Sequence, residues 1–254
     1  HPDTFLTVRR KPCLDVSQLS EKFYNQIRDR SLKQEMATAD APPPGSNVGI
    51  DMLGPVLIIH GSEELRRTHL PRILDASVVW AQGYSEPGAG SDLGSLRTHA
   101  QHDGDDYVIN GQKIWTTHAH QADWIFALTR TEPNAPKHRG ISFLLMDIRT
   151  PGITVRPLVN MGWQHEFNET FFEDVRVAVD SLIGEEGDGF RYILSGMNAE
   201  RILIGAECVG DAKWFIRKAS EYAGAREVFD RPIGQNQGVQ FPIARCYAQM
   251  RAAE

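Results

Sequence analysis

Between Ser77 and Leu182 the chain carries five short runs of β-branched and aromatic residues with only turn formers between them. These are Val78-Val79-Trp80, Tyr107-Val108-Ile109, Trp124-Ile125-Phe126-Ala127-Leu128, Ile141-Ser142-Phe143-Leu144-Leu145 and Thr170-Phe171-Phe172. Such side chains suit a pleated, half-buried surface. Asp103-Gly104-Asp105, Asn110-Gly111, Pro133-Asn134-Ala135-Pro136 and Thr150-Pro151-Gly152 punctuate them as turns. Strands at this spacing, with no helical period among them, predict a small antiparallel barrel or sandwich. Helical periods flank this stretch. Leu19, Phe23 and Ile27 recur at four-residue steps, and Met52, Val56 and Ile59 at helical steps. Consecutive prolines make Ala41-Pro42-Pro43-Pro44-Gly45-Ser46 a loop. Ser62-Glu63-Glu64 before Leu65 reads as a helix start, with Pro71 inside or after that helix. From Gly189, the positions Ile193, Met197, Leu203 and Ile204 line one stripe of a long helix reaching about Tyr222. The loop Asp230-Arg231-Pro232-Ile233-Gly234 then leads to a second helix. The expected class is α+β. Residues 1–76 form a partial N-terminal helical domain, 77–184 a β domain, and 185–254 the start of a C-terminal helical bundle.

Composition narrows the function. A formal net charge of −6 and the lack of a basic stripe argue against a nucleic-acid partner. No apolar run approaches the roughly 18 residues of a membrane-spanning helix. Cys13, Cys208 and Cys246 have neither paired nor metal-ligand spacing, which fits a reducing compartment. The start at His1 without an initiator Met, and the end at Glu254 within a helical pattern, read as a chain trimmed at both ends.

Four segments carry chemistry-bearing residues. In Tyr84-Ser85-Glu86-Pro87-Gly88-Ala89-Gly90-Ser91-Asp92, Gly88 and Gly90 let a ligand approach the backbone, and Ser85 and Ser91 offer hydroxyls. The same residues also conform to a polar β-turn. In Gly111-Gln112-Lys113-Ile114-Trp115-Thr116-Thr117, Trp115 is either a flat cover for an aromatic cofactor or a core residue. Thr117 is expected on the same strand face. Glu200, in Met197-Asn198-Ala199-Glu200-Arg201, sits on an apolar helical stripe. It is there either a partly desolvated proton acceptor or a structural partner of a neighbouring Arg. Arg226 suits a pyrophosphate through bidentate recognition, or is a surface residue. His118 and His120 lack a third ligand nearby in sequence, and Asn168-Glu169-Thr170 fits a glycosylation sequon. No Gly-x-Gly-x-x-Gly follows a strand, so nicotinamide dependence is not supported.

Taken together, these segments resemble the acyl-CoA dehydrogenase family. The signature Glu-Pro-Gly-Ala-Gly-Ser-Asp, the Trp-x-Thr, Phe172-Glu173-Asp174-Val175-Arg176-Val177 and Gly184-Glu185-Glu186-Gly187-Asp188-Gly189-Phe190 occur in family order. The resemblance implies FAD contacted by Gln82, Tyr84, Ser85, Gly90, Ser91, Trp115 and Thr117, with Thr117 near flavin N5. Ser91 also falls where the family contacts acyl-CoA. Glu200 before Arg201 is similar to the isovaleryl-CoA and long-chain members, which place the catalytic base there, and Asn198 and Arg201 become substrate-side residues. Arg226, Phe229 and Gln237 match positions that hold the FAD of a neighbouring subunit, with Asp230 replacing the usual Gly. The implied activity is α,β-dehydrogenation of an acyl-CoA in fatty acid metabolism, with electrons passing to an electron-transfer flavoprotein. The implied assembly is a homodimer, a homotetramer or a subunit of a larger complex, in the mitochondrial matrix of a eukaryote or the cytoplasm of a bacterium. Nothing after Gln237 resembles the family's later flavin and thioester segments, so a non-catalytic structural subunit stands as the alternative.

Overall fold

The computed structural model describes Ala39 and residues 48–254. The expected Leu19–Phe23–Ile27 stripe and the proline loop lie outside the described residues. What is described falls into two compact units, one up to Gly196 and the other from Met197 to Glu254.

In the first unit a π-helical turn, Gly49–Leu53, runs into α1 (Gly54–His60), followed by α2 (Glu63–Leu74). The predicted helix start is present. The Ser62 hydroxyl accepts from the Leu65 N–H at 3.2 Å, and Glu63 and Glu64 occupy the first turn. The helix continues through Pro71 and buries Leu65, His69, Leu70 and Ile73 on one stripe.

The middle is one seven-stranded sheet. Its strands are β1 (Trp80–Gly83), β2 (His99–Asp103), β3 (Asp106–Lys113), β4 (Trp124–Arg130), β5 (Ile141–Asp147), β6 (Ile153–Val159) and β7 (His165–Ala178). Pairing is mainly antiparallel: β2 with β3, β3 with β7, β6 with β7, β4 with β5. One edge of β4 is different. It pairs in parallel with β1 over Trp80↔Trp124 to Gly83↔Ala127, and meets β2 in parallel at His99↔Arg130. The chain between β1 and β4 contains the whole β2–β3 hairpin, a connection long enough to bring β4 back alongside β1 in the same direction. On β4, every residue from Ile125 to Thr129 is buried. Ile125 and Ala127 join Ala81, Ile109, Leu144 and Phe172 in one cluster, while Phe126 packs with Phe143 and Tyr84. Burial on both faces accounts for the continuous apolar run in the sequence.

Two strands, β2 and β6, have no counterpart in the sequence reading. Polar residues dominate β2, and β6 leaves Thr154, Arg156, Pro157 and Val159 exposed. The expected turn at Asn110-Gly111 is corrected. Both residues lie within β3, where the register to β7 shifts between Ile109 and Gly111. Gly111 has φ +149°, and a Cβ there would come within 2.6 Å of Thr98 Cα, so only glycine fits this bulge.

In the second unit, α3 (Gly189–Ala225, beginning in the first unit) covers the predicted long helix, and α4 (Gln237–Ala253) is the predicted second one. Between them a small hairpin pairs β8 (Glu227–Val228) with β9 (Arg231–Pro232). Its turn residues, Phe229 and Asp230, both have positive φ, 54° and 61°. A left-handed position explains why Gly is usual where Asp230 stands, and why Asp is tolerated.

α2 is seated on the sheet through His69, whose ring packs edge-on against Trp80 at 5.2 Å and Trp124 at 4.9 Å. Its Nδ1 is buried and has no hydrogen-bond partner among the described residues. Burial, with a smaller contribution from Arg72, pushes the imidazole down to about 4. The unfolded chain therefore takes up this proton near 6.5, before the folded one does, so stability falls as pH drops from 6.5 toward 4. We expect a loss of about 2 kcal/mol through His69 by about pH 5, read from urea unfolding midpoints. His69→Phe should flatten this acid slope; an unchanged slope assigns it to other groups.

Candidate functional site

Two loops meet at the C-terminal ends of β1 and β3. After β1 the chain makes a tight turn, Glu86-Pro87-Gly88-Ala89, closed by Glu86 N–H to Ala89 O at 2.8 Å and Ala89 N–H to Glu86 O at 3.0 Å. The β-turn reading of this segment is correct, and it coexists with an open face. Among the described residues no atom lies within 4 Å of where a Cβ on Gly88 or Gly90 would stand. Gly88, Gly90 and Ser91 are exposed, whereas Ser85 is half-buried. Asp92 ends the loop on an ion pair with Lys137 at 2.5 Å. Arg130 holds the following segment by donating to Gly94 O at 2.7 Å and Leu96 O at 3.4 Å. Tyr84 points away from this face. Its ring lies in the core, 5.7 Å from Phe126 and 6.0 Å from Phe143.

The second loop begins where β3 ends at Lys113. Trp115 and Thr117 are therefore not on a strand, and Trp115 has φ +60°, so strand alternation does not set their direction. Trp115 is not a core residue. Its ring is 55% exposed and meets Phe167 edge-on at 5.9 Å. Thr116 is fully buried, and Thr117 is half-buried. Ile114 N–H donates to Ser85 O at 2.9 Å, which sets the two loops side by side.

Beneath that contact lies a buried ion pair that sequence reading missed. Lys113 Nζ, fully buried, donates to Glu86 Oε1 at 2.8 Å and to Tyr84 O at 3.1 Å. Glu86 also accepts from Arg97 N–H at 2.6 Å and Thr98 N–H at 2.8 Å. Burial pushes the Glu86 carboxyl up, but Lys113 and these donors outweigh it and hold the group below the ordinary range. Burial pulls Lys113 down to about 8 against the attraction of Glu86. The available signal was weak: a Glu and a Lys inside two separate motifs, with nothing in either to pair them.

Glu200 and Arg201 lie on α3 in the second unit, Glu200 half-buried and Arg201 exposed. Of the expected apolar stripe, Leu203 is 47% and Ile204 58% exposed, while one carboxylate oxygen of Glu200 is buried. The side chain of Asn198 lies outside the described residues. Arg226 and Phe229 sit on the connection from α3 to α4 and Gln237 opens α4, all exposed, with Ile233 N–H bonding back to Arg226 O at 2.8 Å. The sequon at Asn168, a match with nothing else in the sequence to suggest secretion, has its acceptor side chain enclosed. Asn168 is fully buried in β7 and its amide nitrogen donates to Thr116 O at 2.9 Å.

Residues 81–175 match the family model for the acyl-CoA dehydrogenase middle domain, and residues 187–254 match that for the C-terminal domain. The chain belongs to the acyl-CoA dehydrogenase family. It is 41% identical to acyl-CoA dehydrogenase IpdE1 of Mycobacterium tuberculosis over 222 residues, covering 86% of this chain and 56% of that protein. Among solved structures it is similar to the Tcur3481-Tcur3483 steroid ACAD, at 36% identity and TM-score 0.68, covering 81% of this chain and 52% of that one. It is also similar to the ChsE4-ChsE5 complex from M. tuberculosis, at 32% identity and TM-score 0.72, covering 93% and 64%. The chain spans about half the length of the curated relatives it matches.

The residues of this acyl-CoA dehydrogenase chain fit the family's flavin on two observations. Space stands open beside Gly88 and Gly90, and Trp115 offers an uncovered aromatic face on the adjoining loop. Glu86→Gln leaves Lys113 buried without its counter-ion. We expect a loss of about 3–5 kcal/mol in unfolding free energy near neutral pH, measured by urea titration. A change below about 1 kcal/mol, the range of an exposed pair, would show the joint to be solvated in solution.

Proposed function

We propose that this chain is the flavin- and thioester-binding portion of an FAD-dependent acyl-CoA dehydrogenase, which removes the α- and β-hydrogens of an acyl-CoA. The carrying observation is the junction of two loops, Ile114 on Ser85 and Lys113 on Glu86, which puts Ser85–Ser91 beside Trp115–Thr117. Bound FAD would supply the hydride acceptor for the β-hydrogen. The chain's residues do the rest. Trp115 would cover the ring system of the flavin, and Thr117 would donate to it. Gln82, Ser85, Gly90 and Ser91 line the isoalloxazine and phosphate side, and the Tyr84 carbonyl fixes the loop through Lys113. Ser91 also meets the thioester. Glu200 takes the α-proton on its carboxylate, with Asn198 and Arg201 on the substrate side. Arg226, Phe229 and Gln237 hold the FAD of a second copy, in keeping with a homodimer or homotetramer.

Electrons leave to an electron-transfer flavoprotein, and the bacterial relatives support a cytoplasmic setting over a mitochondrial one. Similarity to a protein named a steroid ACAD supports a bulky acyl group. A second reading, a non-catalytic subunit of a mixed assembly, is favoured by similarity to the ChsE4-ChsE5 complex.

The visible spectrum of the protein mixed with FAD separates the two. We expect an oxidised-flavin band that bleaches with acyl-CoA, whereas a colourless protein supports the structural subunit. Glu200→Gln should keep the band and slow bleaching by about 10²–10⁴-fold. Unchanged bleaching in that variant would remove Glu200 from the role of base.

A further inference from the structure

The loop that carries Trp115 and Thr117 is held from behind by one side chain, Asn168 of β7. Thr116 N–H donates to the Asn168 backbone carbonyl at 3.0 Å, and Asn168 Nδ2 donates to Thr116 O at 2.9 Å. One residue thus grips both backbone groups of Thr116. Thr170 Oγ1 adds a bond to Thr116 Oγ1 at 3.3 Å, and His118 N–H one to Glu166 O at 2.8 Å.

The Asn168 amide is bonded to two histidines as well. His120 Nδ1 lies 3.2 Å from Asn168 Nδ2, and His165 Nε2 lies 2.8 Å from Asn168 Oδ1. The two imidazoles stack at 3.8 Å with 25° between their planes. This arrangement fixes the protons. Thr116 O accepts only, so the amide nitrogen must face it, and that NH₂ then donates its second hydrogen to His120 Nδ1. His120 therefore keeps a lone pair on Nδ1, and His165 carries its proton on Nε2. A proton on His120 Nδ1 would set two donors against each other, and turning the amide over would surrender the bond to Thr116 O. His120 is exposed, so solvent protons reach it directly.

We propose that Asn168 is a clamp on the Trp115–Thr117 loop that closes only while His120 is neutral, which makes Asn168 and His120 positioning residues for the face those side chains present. That the clamp positions a flavin contact rests on the function proposed above; the clamp itself does not.

Titratable neighbours of both signs surround His120. His118, on the same turn, has its ring 6.2 Å from that of His120, and β7 contributes His165 and Glu166. β6 also packs on this turn, but its Arg156 lies over the Phe171 ring at 4.7 Å; β1, the remaining neighbour, carries no titratable residue. Desolvation, His165 and His118 hold the His120 pKa below its ordinary value, and an Asn168 N–H that bonds only the neutral ring acts in the same direction, so the clamp opens below that value.

Amide hydrogen exchange on the flavin-free protein tests this directly. Corrected for intrinsic rates, protection of the Thr116 and His118 amides should fall about ten-fold between about pH 8 and pH 5. The Ile125 and Phe126 amides in the core of β4 report global opening and bound its share. His120→Asn places an amide oxygen where Nδ1 stood and does not titrate, so its protection should stay flat with pH. Asn168→Ala should show low protection at both ends, and if it fails to fold, His120→Asn alone decides. A flat wild-type profile, or a step that persists in His120→Asn, overturns the clamp. FAD titration followed by flavin fluorescence separates the two proposals. A step without FAD binding sinks the flavin reading and leaves the clamp; FAD binding without a step does the reverse.

Discussion

The buried pair between Glu86 and Lys113 is the joint on which the first unit's candidate site depends. Lys113 is the last residue of β3, and Glu86 opens the turn after β1, so one contact ties two strand ends together. Glu86 further accepts from Arg97 and Thr98, which lead into β2. Removing two charges from water is expensive, and mutual attraction repays it only when the remaining lone pairs and protons are also satisfied. Here backbone N–H groups serve the Glu86 oxygens, and the Tyr84 carbonyl takes a second of the three Lys113 N–H groups. The pair accordingly does more for the uniqueness of the arrangement than for raw stability.

Because the joint fixes the backbone, the side chains facing solvent are free to be small or flat. Gly88 and Gly90 leave space open, and Trp115 keeps half its ring exposed in a left-handed conformation. The exposed Trp115 is therefore available to a ligand at the open side of the glycine loop. The glycine bulge at Gly111 belongs to the same design. It bends β3 against Thr98, two residues before Lys113 enters the core.

Much of this was legible in the sequence. The long helix from Gly189, the Ser62 cap and the buried runs of β4 and β5 were readable because each is a local pattern of side-chain period and capping. The family signature was equally plain, and it pointed to Trp115 and the Ser85–Ser91 loop. Other features were hidden for a common reason. β2 is almost wholly polar, β6 alternates only over Ile153–Arg156 before Pro157 interrupts it, and Asn110-Gly111 spells a turn in isolation while serving as a bulge in context. Tyr84 reads as a ligand contact by its motif, yet its ring is spent on the core. Asn168 matches a sequon and nothing more in the sequence, yet it is bonded to a loop 52 residues earlier.

By itself the sequence determined the succession of helical, strand-rich and helical regions, the family, and which residue types are available for flavin and thioester chemistry, since these depend on neighbours along the chain. The tertiary structure alone decided that Glu86 meets Lys113, that β4 returns parallel to β1, and that Asn168 grips Thr116 between two stacked imidazoles. Those facts depend on which polar groups must find partners once water is excluded. That requirement acts between residues the chain keeps far apart, and it leaves no local trace.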